Sequence, residues 1–174
     1  MRQPRRTGTR RDRWLLRVPP EHAFELAADP SRFPEFNPTV RVPANSGRVE
    51  VLGNVYYQLF GIGPLRLTMR WETVAVDPPN LADRPRPSLP WTTVEVGTMP
   101  LLGTWRSTSR YDAVTAGTLV THDLEYELPA GPLGPVVDLM LRPALGISFE
   151  FLARRLKRWI ESARPADSTA DRGE

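Results

Sequence analysis

The sequence predicts an α+β domain in which a curved antiparallel β-sheet wraps around a long C-terminal α-helix, with two short helices near the N-terminus. Three observations predict it. Segments of period-two alternation recur between Thr39 and Leu128, and the spacing becomes helical from Val137 to Ile160. The stretch between Pro19 and Pro38 is so punctuated by proline that it has room only for short helices.

The first strand is expected over residues 13–18, where Trp14, Leu15, Leu16 and Val18 precede the stop at Pro19-Pro20. Pro20 suits the first position of a helix, and Glu21 falls in the first turn, where the helix dipole favours negative charge. Ala23, Phe24, Leu26 and Ala27 give that helix an apolar face before Asp29-Pro30 ends it. Ser31 to Pro38 allows one further helical turn. Strands are then expected over 39–42, 48–52, 55–60, 65–76, 92–98, 104–114 and 118–128. Alternation is clearest in Leu65, Leu67, Met69 and Trp71, and again in Val120, His122, Leu124, Tyr126 and Leu128, each set facing away from polar neighbours. Ala116-Gly117 is expected to form a tight hairpin. After Pro129-Ala130-Gly131-Pro132, the residues Val137, Leu141, Leu145, Phe149, Leu152, Leu156 and Ile160 recur at helical spacing, opposite Arg154, Arg155, Arg158 and Glu161. Pro143 is expected to kink or interrupt this helix, because it lacks an N–H and collides with the preceding turn. A strongly curved sheet is the natural bed for such a helix.

A length of 174 residues suits one domain with a substantial core, and 40% hydrophobic with 25% charged residues is ordinary for a globular protein. No apolar run approaches the roughly 20 residues that span a bilayer, and no signal-peptide pattern opens the chain, so a cytoplasmic location is expected. The absence of Cys excludes disulfides and thiolate chemistry, and with only two His no metal site is expected. The net charge of +3 is unevenly placed: residues 1–13 carry six Arg against Asp12, a balance of +5, which leaves the rest at −2. Basicity therefore belongs to the N-terminal segment, and no specific nucleic-acid binding is expected. Residues 1–12 read as a disordered Arg-rich tail, 13–163 as a ligand-binding domain, and 164–174 as a second disordered tail. The Arg-rich tail is a candidate for docking an acidic carrier protein.

Pro19-Pro20-Glu21 with Phe24, then Arg32-Phe33-Pro34-Glu35-Phe36-Asn37-Pro38, stand in a telling order with Asp77-Pro78-Pro79, Gly117-Thr118 and Tyr126-Glu127-Leu128-Pro129. With Gly131, Gly134 and the closing helix from Leu145 to Ile160, this order resembles the polyketide cyclase/dehydrase-like branch of the START/Bet v 1-like (SRPBCC) superfamily. The resemblance covers the folded body. It implies a helix-grip fold with a tunnel between sheet and long helix, and no cofactor. It further implies a hydrophobic, polyketide-like ligand whose cyclisation, dehydration or aromatisation the protein promotes, or a non-catalytic carrier or sensor of a lipid or aromatic metabolite. Family members often have His at one or both of the positions of Ser107 and Ser109 and Asp at that of His122, so polar cavity residues look exchanged between strands here.

His122 is the leading catalytic candidate. It falls on the apolar face between Val120 and Leu124, and a desolvated imidazole near neutrality moves protons in aldol or dehydration steps. The alternative is a structural core His bonded to Ser107 or Ser109. Those two serines share a strand face with Trp105 and Tyr111 and are candidates for orienting a carbonyl or stabilising an enolate. A one-residue slip would turn Arg106, Thr108 and Arg110 inward instead, but Trp105 and Tyr111 favour the serine phase. Tyr57, Met69, Trp71, Trp91, Trp105, Tyr111 and Tyr126, with Leu141, Leu145 and Phe149 from the long helix, are the expected walls for a ring-containing ligand. Asp138, near the start of the last helix, reads as a solvated acid, with a place at the cavity mouth as the alternative. Gly61-Ile62-Gly63-Pro64 is a turn and not a phosphate loop, since no helix follows it.

Overall fold

Among the described residues seven strands, β1 (Arg6–Leu16), β2 (Val40–Arg41), β3 (Val55–Ile62), β4 (Leu65–Asp77), β5 (Trp91–Met99), β6 (Gly103–Val114) and β7 (Gly117–Leu128), form one antiparallel sheet. Its order is β1-β7-β6-β5-β4-β3-β2, so the chain meanders from β2 to β7 and β1 closes the far edge. The computed structural model describes residues 6–27, 29–42, 53, 55–62, 65–77, 91–99, 103–128 and 134–163. Two short helices, α1 (Pro20–Ala27) and α2 (Phe33–Phe36), follow β1, and the long helix α3 (Gly134–Ser162) follows β7.

Strands β2 to β7 start and end within two residues of the sequence expectation. The strand expected at 48–52 lies outside the described residues. The first strand is the large correction: it begins at Arg6, not Arg13, and pairs with β7 from Arg6↔Leu128 to Leu16↔Thr118. Residues 6–12 are therefore sheet and not tail. Alternation there is invisible as hydrophobicity, because the inward positions are Gly8, Arg10 and Asp12. Gly8 lies so close to Tyr126 that an added Cβ would sit 2.1 Å from the ring. Arg10 pairs with Asp12 at 2.6 Å and Arg11 with Asp123 at 2.5 Å, so part of the basic segment is neutralised within the sheet. The remainder of both expected tails, 1–5 and 164–174, lies outside the described residues.

The β6–β7 hairpin turns on Thr115 and Ala116, with Val114 paired to Gly117. Gly117 has φ of +132°, and a side chain there would meet the Leu16 carbonyl oxygen at 2.2 Å. A register shift between Thr73 and Ala75 bends β4, leaving Thr73 buried and Val74 exposed. The helix α3 runs unbroken through Pro143, contrary to an interruption there. Pro143 lies on the exposed side, where water can serve the carbonyl it leaves without a donor.

Two apolar clusters fill the concave side of the sheet. Tyr56, Met69, Trp71, Trp105, Leu124 and Tyr126 meet Leu141 and Leu145 of α3 in one. Phe24 and Leu26 of α1 meet Trp91, Tyr111, Val120 and Ile160 in the other. Full burial of a side chain such as Phe24 stabilises by roughly 1.5–3 kcal/mol. The α2 segment is tied to α3 by the Trp159 indole, which donates to Glu35 at 2.9 Å, with the Arg32 guanidinium 4.7 Å from the indole ring centre.

Candidate functional site

Strand alternation places a polar band across the middle of the inner face. His122 on β7 lies opposite Asp12 on β1 and Ser109 on β6. Ser107 lies opposite Leu124 and Glu95, and Glu95 opposite Thr73. Above this band, between the two apolar clusters, the sheet and helices enclose a cavity of about 350 Å³. Trp71, Trp105 and Tyr56 form part of its wall from the sheet, Phe33 and Phe36 from α2, and Leu145, Phe149 and Leu152 from α3. Trp71 stacks on Tyr56 at 6.3 Å and 17°, while its indole N–H donates to Gln58 at 3.1 Å. Trp71 also lies over Gly97, where any Cβ would stand 2.9 Å from the ring, so glycine at that position makes room for the wall.

His122 shares a hydrogen bond of 3.0 Å between its Nε2 and the Ser107 hydroxyl. Its ring packs between Phe149 at 5.1 Å and Trp14 at 6.1 Å, and its Nδ1 is buried without a hydrogen-bond partner. Burial pushes this imidazole down to about 4, with Asp12 and Asp123 opposing the shift. The expectation of an imidazole poised near neutrality is therefore corrected: desolvation keeps His122 uncharged at pH 7. Ser109 hydrogen-bonds Tyr111, whose hydroxyl is pushed up by burial and by the nearby Glu95.

Of the residues expected at the site, His122, Ser107, Ser109, Trp71, Trp105, Tyr111, Leu145 and Phe149 do line the cavity. The structure places the others elsewhere. Tyr57 is turned to the outer face, 38% exposed, and its neighbour Tyr56 takes the inward place. Met69, Trp91 and Leu141 are packed inside the clusters away from the cavity surface. Tyr126 stacks on Trp105 at 5.1 Å and donates its hydroxyl to Asp138 at 2.8 Å. Asp138 is thus a buried anchor between β7 and α3, also paired with Arg142, and not a solvated acid.

Sequence reasoning missed Glu95, the one carboxyl among the described lining residues. Its Oε2 accepts the Tyr56 hydroxyl at 3.1 Å. Burial raises the Glu95 carboxyl to about 7, opposed by that hydrogen bond, so both protonation states are populated at neutral pH. The Tyr56 hydroxyl is driven well above its ordinary value by burial and by Glu95, and remains a donor. No group of side chains among the described residues is suited to hold a metal ion, and no helix among them is long and apolar enough to cross a membrane.

A curled antiparallel sheet gripping one long helix over an internal cavity defines the helix-grip fold of the START/Bet v 1-like class. The chain belongs to the family of polyketide cyclase/dehydrase and lipid transport proteins, whose model matches residues 15–161. Its fold is similar to that of a protein from Thermus thermophilus, with a TM-score of 0.65 and 17% identity over 92% of this chain and 99% of that one. It is similar to Ara h 8.0201, with a TM-score of 0.61 and 13% identity over 90% and 99% of the two chains. Norcoclaurine synthase from Thalictrum flavum matches with a TM-score of 0.60 and 12% identity over 90% and 87%. Sequence comparison with curated proteins found no match.

Proposed function

We propose that this protein encloses a hydrophobic, polyketide-like molecule and promotes its cyclisation, dehydration or aromatisation by holding it folded and away from water. The observation that carries this reading is the composition of the chamber, whose walls are mainly aromatic and aliphatic, with Glu95, Ser107, Ser109 and His122 set across its sheet side and a few further polar groups, among them Asn37, Gln58 and Ser148, around it. A flexible chain with several carbonyls loses much of its conformational freedom on entering such a space, and ring closure then proceeds from a preselected conformer. The Ser107 hydroxyl, held by the uncharged His122 through Nε2, acts with the Ser109 hydroxyl to offer hydrogen bonds to a carbonyl oxygen. A structure of the same fold, norcoclaurine synthase, holds dopamine and hydroxybenzaldehyde, which supports ring-bearing small molecules as ligands of this architecture.

The test is to incubate the purified protein with a short-chain thioester of a linear poly-β-ketone and follow products by mass spectrometry. One cyclised product forming faster than in buffer is the expected result. The same product mixture and rate as in buffer sinks the enzymatic reading. The predominance of apolar wall favours the second reading, carriage of a lipid or aromatic metabolite; recovery of bound, unchanged thioester would support it.

A further inference from the structure

Glu95 occupies an unusual place. Among the described residues that line the chamber there is no Lys or Arg, so this carboxyl has no cation to neutralise it. It stands in the middle of the sheet, between Thr73 of β4 and Ser107 of β6, and is held by the hydroxyl of Tyr56 from β3. The other titratable groups that line the chamber are Tyr111 on β6 and His122 on β7. The part of α3 that lines the chamber, from Leu145 to Leu156, contributes no charged side chain to it. Desolvation without a counter-charge is what brings its titration to about 7, where an acid–base group is most effective at neutral pH.

We infer that Glu95 is the general base of this chamber, acting on a C–H flanked by carbonyl groups in a ligand of the class proposed above, a reading on which this assignment rests. The carboxylate takes the methylene proton, and the C–H electron pair moves into the adjacent carbonyl to form an enolate. The enolate carbon bonds to a second carbonyl carbon of the same chain. The oxygen of that carbonyl then takes the proton back from Glu95, which restores the carboxylate without any oxidant or co-reactant. Tyr56 is a positioning residue: its donated hydrogen bond fixes the carboxylate and favours the ionised form.

The probe is 5-nitrobenzisoxazole, a flat apolar molecule. A base removes its one acidic C–H proton as the N–O bond breaks, and the product is a coloured phenolate. Binding is read separately by quenching of the tryptophans on the wall, Trp71 and Trp105. Wild-type protein should quench and turn over the probe, with a rate that rises with pH through a midpoint near 7. Glu95→Gln should lower turnover by about 100-fold or more while quenching persists. Tyr56→Phe should move the midpoint upward, because the carboxylate loses a hydrogen bond, and a purely structural role for Glu95 would not give that shift. Quenching without turnover, or equal turnover in Glu95→Gln, overturns the assignment and leaves enclosure of apolar ligands intact. An unmoved midpoint in Tyr56→Phe overturns it as well, whether or not Glu95→Gln folds. Absence of quenching overturns the enclosure reading itself, and the base with it.

Discussion

Tyr56 on β3 reaches over the intervening strand β4 to donate its hydroxyl to Glu95 on β5, at 3.1 Å. That single bond joins two groups whose titrations desolvation raises. His122, in turn, is desolvated between Trp14 and Phe149. A half-buried acid and a half-buried base, both lining the chamber, thus share one sheet face, and their titrations are displaced in opposite directions.

The first prediction concerns stability against pH. Glu95 is raised from 4.5 to about 7, so between those values the folded protein holds a proton that the unfolded chain has released. Its contribution to stability therefore falls as pH rises through that window. His122 is lowered from 6.5 to about 4, so there the unfolded chain binds the extra proton, and its contribution rises with pH. Each displacement corresponds to on the order of 3 kcal/mol, and the two nearly cancel between about pH 5 and 6. Urea unfolding at pH 5 and pH 6.5 should show Glu95→Gln gaining stability with rising pH relative to wild type. His122→Gln should lose it. Parallel pH dependences for the three proteins would rule out the opposed pair.

The second prediction concerns β1. Gly8→Ala would place a methyl group about 2.1 Å from the Tyr126 ring, which must then move and release its bond to Asp138. Overpacking of this kind costs about 1–3 kcal/mol, and loss of the hydrogen bond adds about 1 kcal/mol. Thr9→Ala, on the exposed side of the same strand, should stay within about 0.5 kcal/mol of wild type. Denaturant titration of the two variants decides the matter, since a disordered segment at 6–12 would leave both neutral.

The same strand shows why part of the molecule was legible in sequence and part was not. Where the inner face is greasy, as at Met69 and Trp71 or Val120 and Leu124, alternation points at the core and the strand and its phase are readable together. Where the inner face lines the chamber, the signal inverts. On β5 the inward residues are Thr93, Glu95 and Gly97, while Val94 and Val96 take the alternate positions, so Glu95 reads as a solvated side chain. Arg10 and Asp12 hide β1 in the same way. Tyr56 and Tyr57 are adjacent and chemically alike, and only the pairing of Tyr56 with Trp71 across the register decides which faces in. The closing helix was readable because its buried stripe is apolar, whereas the burial of Asp138 depends on Tyr126, a partner from a different element.

The third prediction isolates the bond between Ser107 and His122. Ser107 is buried, and its hydroxyl is the hydrogen-bond partner of Nε2 at 3.0 Å, while Nδ1 already lacks one. Ser107→Ala therefore leaves a desolvated imidazole with neither nitrogen bonded to protein, which costs about 1–3 kcal/mol. The asymmetry of hydrogen-bond energetics then makes a distinctive claim about the double variant. Replacing His122 as well, by Leu of similar volume, removes the orphaned polar atoms and lets Phe149 and Trp14 pack against an apolar side chain. Ser107→Ala with His122→Leu should consequently be more stable than Ser107→Ala alone, even though it carries one more change to a buried site. Equilibrium unfolding in urea at pH 8, where wild-type His122 is uncharged, measures both variants without a contribution from its titration. A double variant less stable than Ser107→Ala would mean that the imidazole packs or bonds in some way beyond its contact with Ser107. A Ser107→Ala protein as stable as wild type would mean that water already satisfies Nε2 from the chamber side.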